Sequence, residues 1–108
     1  MRLVSRIEEI ILLSIWRLES DAYGIAILEE VRKATGRTWL TGSIYTSLGR
    51  LLKRGLVDCF EGEPVPERGG RRKIYYRITS DGLEALKDIR KVNTAIWTDI
   101  PLLEGKKK

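Results

Sequence analysis

Between Thr41 and Val57 the chain carries no acidic residue. Inside that stretch Ile44, Leu48, Leu51 and Leu52 recur at helical spacing, which predicts a helix over Ser43–Arg54 with one apolar face. The opposite face holds Tyr45, Thr46, Arg50, Lys53 and Arg54. Such a helix must bury its first face in a core and turn its second towards water or a polyanion. Gly55 stops it. Two β-type runs follow, Val57–Glu61 and Lys73–Ile78. The second alternates Ile74, Tyr76, Ile78 against Tyr75, Arg77, as suits a strand with one buried face. Between them Gly62–Arg72 contains Pro64, Pro66, Gly69 and Gly70 and reads as a loop. A cationic helix followed by a hairpin with a basic tip has the layout of a winged helix-turn-helix.

The rest of the chain supplies the helices such a fold needs. Helix 1 is expected from Ser5 to Glu19, with Ile7, Ile10, Ile11, Ser14, Ile15 and Leu18 on one stripe and a Ser5/Glu8 capping box at its start. Ser20-Asp21 makes a turn and caps helix 2, which carries Tyr23, Ile27, Leu28 and Val31, runs to Ala34 and ends at Gly36. Trp39 staples the connection to helix 3, and Thr41-Gly42-Ser43 caps that helix. Thr79 or Ser80 caps helix 4, expected over Asp81–Asp99 with Leu83, Leu86, Ile89, Val92 and Ile96 at helical spacing before Pro101. The expected class is mostly α with a β wing. Residues 1–80 form the winged helix-turn-helix, and residues 81–108 form a C-terminal dimerisation helix and tail of the same compact unit.

Composition narrows the function. A net charge of +5 and a pI near 9.6 favour a polyanionic partner, nucleic acid ahead of a membrane surface. With a single cysteine, Cys59, and no histidine, neither an internal disulfide nor a Cys/His metal cluster can form, and the cytoplasm is the default compartment. Cys59 is read as a small buried hydrophobe. The apolar run of the first helix follows Glu8 and Glu9 and reads as a buried helix, not a leader or a membrane span. No histidine base, paired carboxylates, phosphate loop or nucleophile elbow supports catalysis, and no cofactor is indicated. Glu8-Glu9 and Glu29-Glu30 read as solvated helix edges.

Residues near the start of a recognition helix meet base edges, and later ones meet phosphates. Thr41, Ser43, Tyr45 and Thr46 fit the first role; Arg50 and Lys53 fit the second. At the wing tip Arg68, Arg71, Arg72 and Lys73 suit backbone or a narrow minor groove, moderated by Glu61, Glu63 and Glu67. Gly24 fits either a close helix–helix approach or contact with DNA backbone, the former being favoured. Trp16 and Trp97, on the first and last helices, either fill an interface or wall a site for a planar aromatic effector, interface filling being favoured. Ile7, Ile11, Leu86, Ile89, Val92 and Ile96 are the candidate homodimer contacts.

Taken together, Ala22-Tyr23-Gly24, Ile44-Tyr45-x-x-Leu48, Lys53-Arg54-Gly55-Leu56-Val57 and Arg71-Arg72-Lys73-x-Tyr75-Tyr76-x-Ile78-Thr79 with Gly82 closely resemble the PadR family of transcriptional regulators, over about Ile7 to Leu86. The resemblance implies a dimeric repressor with helix 3 and the wing on double-stranded DNA, and helix 4 crossing to the partner subunit. It also implies, for some members, release by phenolic acids or planar drugs bound near the dimer interface. The short segment after Thr79 resembles the short subclass and departs from members with a large C-terminal domain. A winged-helix module that binds a protein partner without specific DNA is the alternative. Salt dependence separates the two.

Overall fold

The computed structural model describes residues 3–64 and 72–100. In chain order it holds α1 (Arg6–Leu18), a 3₁₀ turn (Glu19–Asp21), α2 (Gly24–Thr35), α3 (Thr41–Lys53), β1 (Val57–Pro64), β2 (Arg72–Ile78) and α4 (Ser80–Trp97). The strands pair antiparallel, Val57 opposite Ile78 and Phe60 opposite Tyr75, with an irregularity between Glu61 and Pro64. This is the expected winged helix-turn-helix. The Arg68 and Arg71 of the wing tip, Pro101 and the tail lie outside the described residues.

Each helix starts and stops for an identifiable reason. Ser5 and Glu8 close a reciprocal capping box on α1, Glu8 N–H donating to Ser5 Oγ at 3.2 Å and Ser5 N–H to Glu8 Oε1 at 2.8 Å. Gly36, at φ 68°, ends α2 in the left-handed conformation that disfavours a side chain. The start of α2 falls at Gly24, not at Asp21, because Glu19–Asp21 is spent in the 3₁₀ turn. Conversely α3 begins a half-turn early. Leu40 is its cap and its carbonyl accepts from Ser43 and Ile44, so Thr41, Gly42 and Ser43 lie in the first turn instead of capping it. Strand β1 runs past Glu61 to Pro64 into the segment expected to be loop. Thr79 caps α4, accepting from Gly82 N–H at 3.0 Å, and α4 ends at Trp97, short of Asp99.

The core lies where α1, α2 and α3 meet the base of the wing. Ile11, Leu12, Ile27, Val31, Ile44, Leu51 and Leu56 are fully buried there. Leu12 joins Ile11 although the expected stripe omitted it, because both neighbours of a helix enclosed on two sides face apolar surface. Only Tyr76 is fully seated on the inner face of β2; Ile78 is half-buried and Ile74 remains 39% exposed. The first half of α4 is anchored by Gly82, Ala85 and Ile89, whereas Ile96 and Trp97 at its far end are exposed. Cys59 is exposed, not buried, although its strand neighbour Val57 lies in the core. Glu8 is buried rather than solvated, and Glu30 is half-buried against Arg17 at 3.1 Å.

Gly82 permits a close approach of α4 to backbone. A Cβ there would overlap the Leu56 carbonyl and come within 2.7 Å of Ile78 Cγ2. Backbone cannot yield as a side-chain tip can, so Gly82→Ala should lower stability by about 2 kcal/mol or more. Urea unfolding followed by circular dichroism checks this, with a fall in midpoint at unchanged slope expected.

Candidate functional site

Helix α3 leads into the first strand of the wing and packs against it. Ile44, Ser47, Leu48 and Leu51 turn α3's inner face into the core. That leaves Thr41, Ser43, Tyr45, Thr46, Arg50 and Lys53 exposed along the outer face, as expected of a surface that meets a partner. Arg72 is exposed at the start of β2 and Lys73 half-buried beside it. No acidic residue lies in the first turn of α3, and Arg50 and Lys53 lie in its last. The N-terminal half of this face thus presents hydroxyls and backbone N–H groups, and the C-terminal half presents cations.

Not all of these side chains are equally free. Tyr45 is 38% exposed, and its ring lies over Gly24, where a Cβ would overlap its hydroxyl and come within 2.8 Å of Cε1 and Cζ. Gly24 is therefore a packing glycine, the favoured of its two readings. Lys73 places its ammonium 3.9 Å from the centre of the Tyr23 ring, and Tyr23 meets Tyr75 edge-on at 5.7 Å. Burial, reinforced by the neighbouring Cys59 and Tyr45, holds the Tyr76 hydroxyl above the ordinary tyrosine value of 10.0. It stays protonated at physiological pH.

Glu8, read from sequence as a solvated helix edge, is instead a buried ion-pair partner of α3. Its side chain is 6% exposed and lies 3.6 Å from Arg50 Nε and 3.5 Å from Arg54 Nη1, while Arg54 also donates to the Leu3 carbonyl at 3.0 Å. A carboxylate buried to this degree requires charged partners. The capping box marks Glu8 in the sequence, but its second duty depends on how α1 crosses α3. Asn93 on α4 reaches Glu9 at 3.4 Å, so the same edge of α1 joins α3 and α4. Between α2 and α3, Arg32 donates through Nε and Nη2 to the Trp39 carbonyl at 3.2 and 2.7 Å, and Trp39 Nε1 donates to Thr35. Trp39 is the staple its position suggests.

Of the candidate interface residues, Ile11 is wholly enclosed within its own chain, so it has no surface to offer a partner. Ile89 is 7% exposed and also packs at home. Ile7, Leu86 and Val92 are half-buried, and Ile96 is 65% exposed. Large apolar side chains are exposed at Leu13 and Trp16 on α1 and at Ile96 and Trp97 on α4, as they are at Leu3, Ile25, Leu40, Phe60 and Ile74 elsewhere. Trp16 lines a hollow of about 530 Å³ with Ile15, Phe60, Tyr76 and Ile78, which Trp97 does not reach. Among the described residues, no three His, Cys, Asp or Glu side chains gather to hold a metal, and no helix is long and apolar enough to cross a membrane.

The clasp on Glu8 yields a stability test. Glu8→Gln removes the charge but keeps the shape. Both arginines keep much of their hydration, so a loss of only about 1 kcal/mol is expected, read as a lower urea midpoint without change of helix content.

Residues 11–88 match the model of the transcriptional regulator PadR-like family. No curated protein matches the chain by sequence. Among solved structures, a PadR-like transcriptional regulator from Bacillus cereus is similar at 27% identity, over 94% of this chain and 93% of that one, with a TM-score of 0.75. A PadR family transcription regulator from Clostridium difficile shares the fold at 21% identity, over 94% and 100% of the two chains, with a TM-score of 0.69. The RosR protein of H. salinarum shares it at 23% identity, over 89% and 79%, with a TM-score of 0.68. With its winged helix-turn-helix and a family match across most of its length, the chain belongs to the PadR-like family of transcriptional regulators, and its work is regulation and not catalysis.

Proposed function

We propose that the protein is a sequence-specific double-stranded-DNA-binding repressor, acting in the cytoplasm as a homodimer. The observation that carries this reading is the exposed face of α3, acid-free and graded from hydroxyls to cations, beside the basic strand of the wing. Major grooves admit a helix of this width, and phosphates reward its cations. Thr41, Ser43 and Thr46 read base edges. Tyr45 reaches them with the exposed side of its ring. Arg50, Lys53, Arg72 and Lys73, with Arg68 and Arg71 from the tip, hold the backbone.

The homodimer reading is supported by the exposed Leu13, Trp16, Ile96 and Trp97, large apolar side chains on α1 and α4 of a small chain. A second copy that covers them would set two recognition helices about one DNA turn apart. A planar aromatic effector fits the same region. It would stack on Trp16 or Trp97 and relieve repression by favouring a dimer geometry with the two α3 helices out of register.

Two measurements check this reading. Arg50→Ala with Lys53→Ala should weaken binding to operator and random duplex alike, and should flatten the log–log salt slope by about one unit per lost phosphate contact. An unchanged slope would remove α3 from the phosphate backbone. For the dimer, Ile96→Glu should convert a dimer at micromolar concentration to a monomer in sedimentation, without loss of helix content. Ile96 is the position to change because Ile89→Glu would disturb the chain's own packing.

A further inference from the structure

Ala22, Tyr23 and Gly24 are consecutive, and between them they grip both the wing strand β2 and helix α3. The Ala22 carbonyl accepts from Tyr76 N–H of β2 at 2.8 Å. Tyr23 forms an antiparallel bridge with Tyr75, which adds a third rung of backbone beside the two-stranded wing. Its ring carries Lys73 on its face at 3.9 Å and Tyr75 at its edge. Gly24 opens α2 and receives the ring of Tyr45 from α3. Ala22 and Gly24 are both buried, so this segment has little freedom to adjust.

A recognition helix and a wing engage one duplex together only if their relative placement is fixed before binding, because each misplaced contact is lost and not merely weakened. Here the same short backbone segment meets both. The roll of α3 is limited by Tyr45 against Gly24. The lie of β2 is limited by the Ala22–Tyr76 hydrogen bond, the Tyr23–Tyr75 bridge and the seat of Lys73. A side chain at position 24 would push the half-exposed Tyr45 ring outwards, towards the face that α3 presents, or would shift residues 22–24 and carry β2 with them.

We propose that Ala22–Gly24 is a registration joint that sets the recognition helix and the wing in one fixed relation, with Tyr23, Gly24 and Tyr45 as positioning residues for DNA recognition. This rests on the DNA-binding reading above. Tyr45 then has two duties, since its inner side registers α3 and its outer side faces the groove. Lys73 is delivered to the backbone by the ring beneath it.

The test is a cycle of salt titrations on a duplex selected by the wild-type protein, with circular dichroism and thermal unfolding confirming that each variant folds. Gly24→Ala removes no charge. It should nevertheless weaken operator binding about 10-fold or more and flatten the salt slope by about one unit, because the wing no longer reaches its phosphates. Lys73→Ala should flatten the slope in the wild-type background and do nothing further in Gly24→Ala. Tyr45→Ala added to Gly24→Ala relieves the overlap and should restore the wing's share of the slope, while operator affinity stays low because Tyr45 no longer registers α3 or reaches the bases. Tyr23→Leu removes the seat of Lys73 without any overlap, and should reproduce the flattened slope even where Gly24→Ala fails to fold. Wild-type slopes in folded Gly24→Ala and Tyr23→Leu, with an additive effect of Lys73→Ala, would overturn the joint while leaving DNA binding intact. A wild type with no salt-dependent duplex binding would instead refute the DNA reading on which the joint rests.

Discussion

The carbonyl of Leu56 stands where α3 ends, the wing opens and closes, and α4 begins. It accepts from Thr79 N–H at 3.1 Å, while Thr79 Oγ1 donates to the Gly55 carbonyl at 2.7 Å and accepts from Gly82 N–H. Gly82 lets α4 press against the same carbonyl, and Gly55, at φ 73°, lets the chain turn out of α3 into β1. If this crossing opens, the wing loses its root and α4 loses its starting direction. Leu56 and Val57, fully buried on either side, tie it to the core. The orientation of the wing and of α4 depends on this small, mostly backbone contact. Backbone contacts of this kind leave few alternative geometries.

From that root the molecule divides its labour. The inner faces of α1, α2 and α3 make the core and fix α3, with Glu8 clasping Arg50 and Arg54 from the side. The outer face of α3 stays polar and cationic, and β2 adds Arg72 and Lys73 at its start. The exposed flank of α1 and the end of α4 keep their apolar side chains in solvent. A chain of this size has a limited core, so burying that flank against a second copy would both stabilise the fold and pair the reading heads. The proposed registration joint supplies the remaining requirement, that helix and wing approach a duplex as one body.

Much of this was legible in the residues. The spacing of Ile44, Leu48 and Leu51 announced α3's inner face, and Ser5 with Glu8 announced the start of α1. Glycine signals at Gly36 and Gly55 marked turns that adopt positive φ. What could not be read was set by tertiary crossing. The sequence places Ile11 on an apolar stripe, but only the packing of α2 and α3 on α1 decides that it faces its own core and not a partner. Thr41-Gly42-Ser43 looks like a cap, yet the Leu40 carbonyl takes the first intrahelical bonds. Cys59 lies opposite the buried Tyr76, yet its own side chain stays exposed, which strand alternation does not reveal. Glu8 has a local role that its sequence neighbours reveal and a long-range one, to Arg50, that they do not.

The central claim is that α3 and the wing read duplex DNA as paired, rigid units. Hydroxyl-radical footprinting on duplexes enriched from genomic fragments by the wild-type protein tests it most directly. Two half-sites about 10 base pairs apart, or a multiple of that spacing, are expected, each with backbone protection on both edges of one major groove and further backbone protection from the wing. Fragments that fail to enrich, or protection that is uniform and without half-sites, would contradict it.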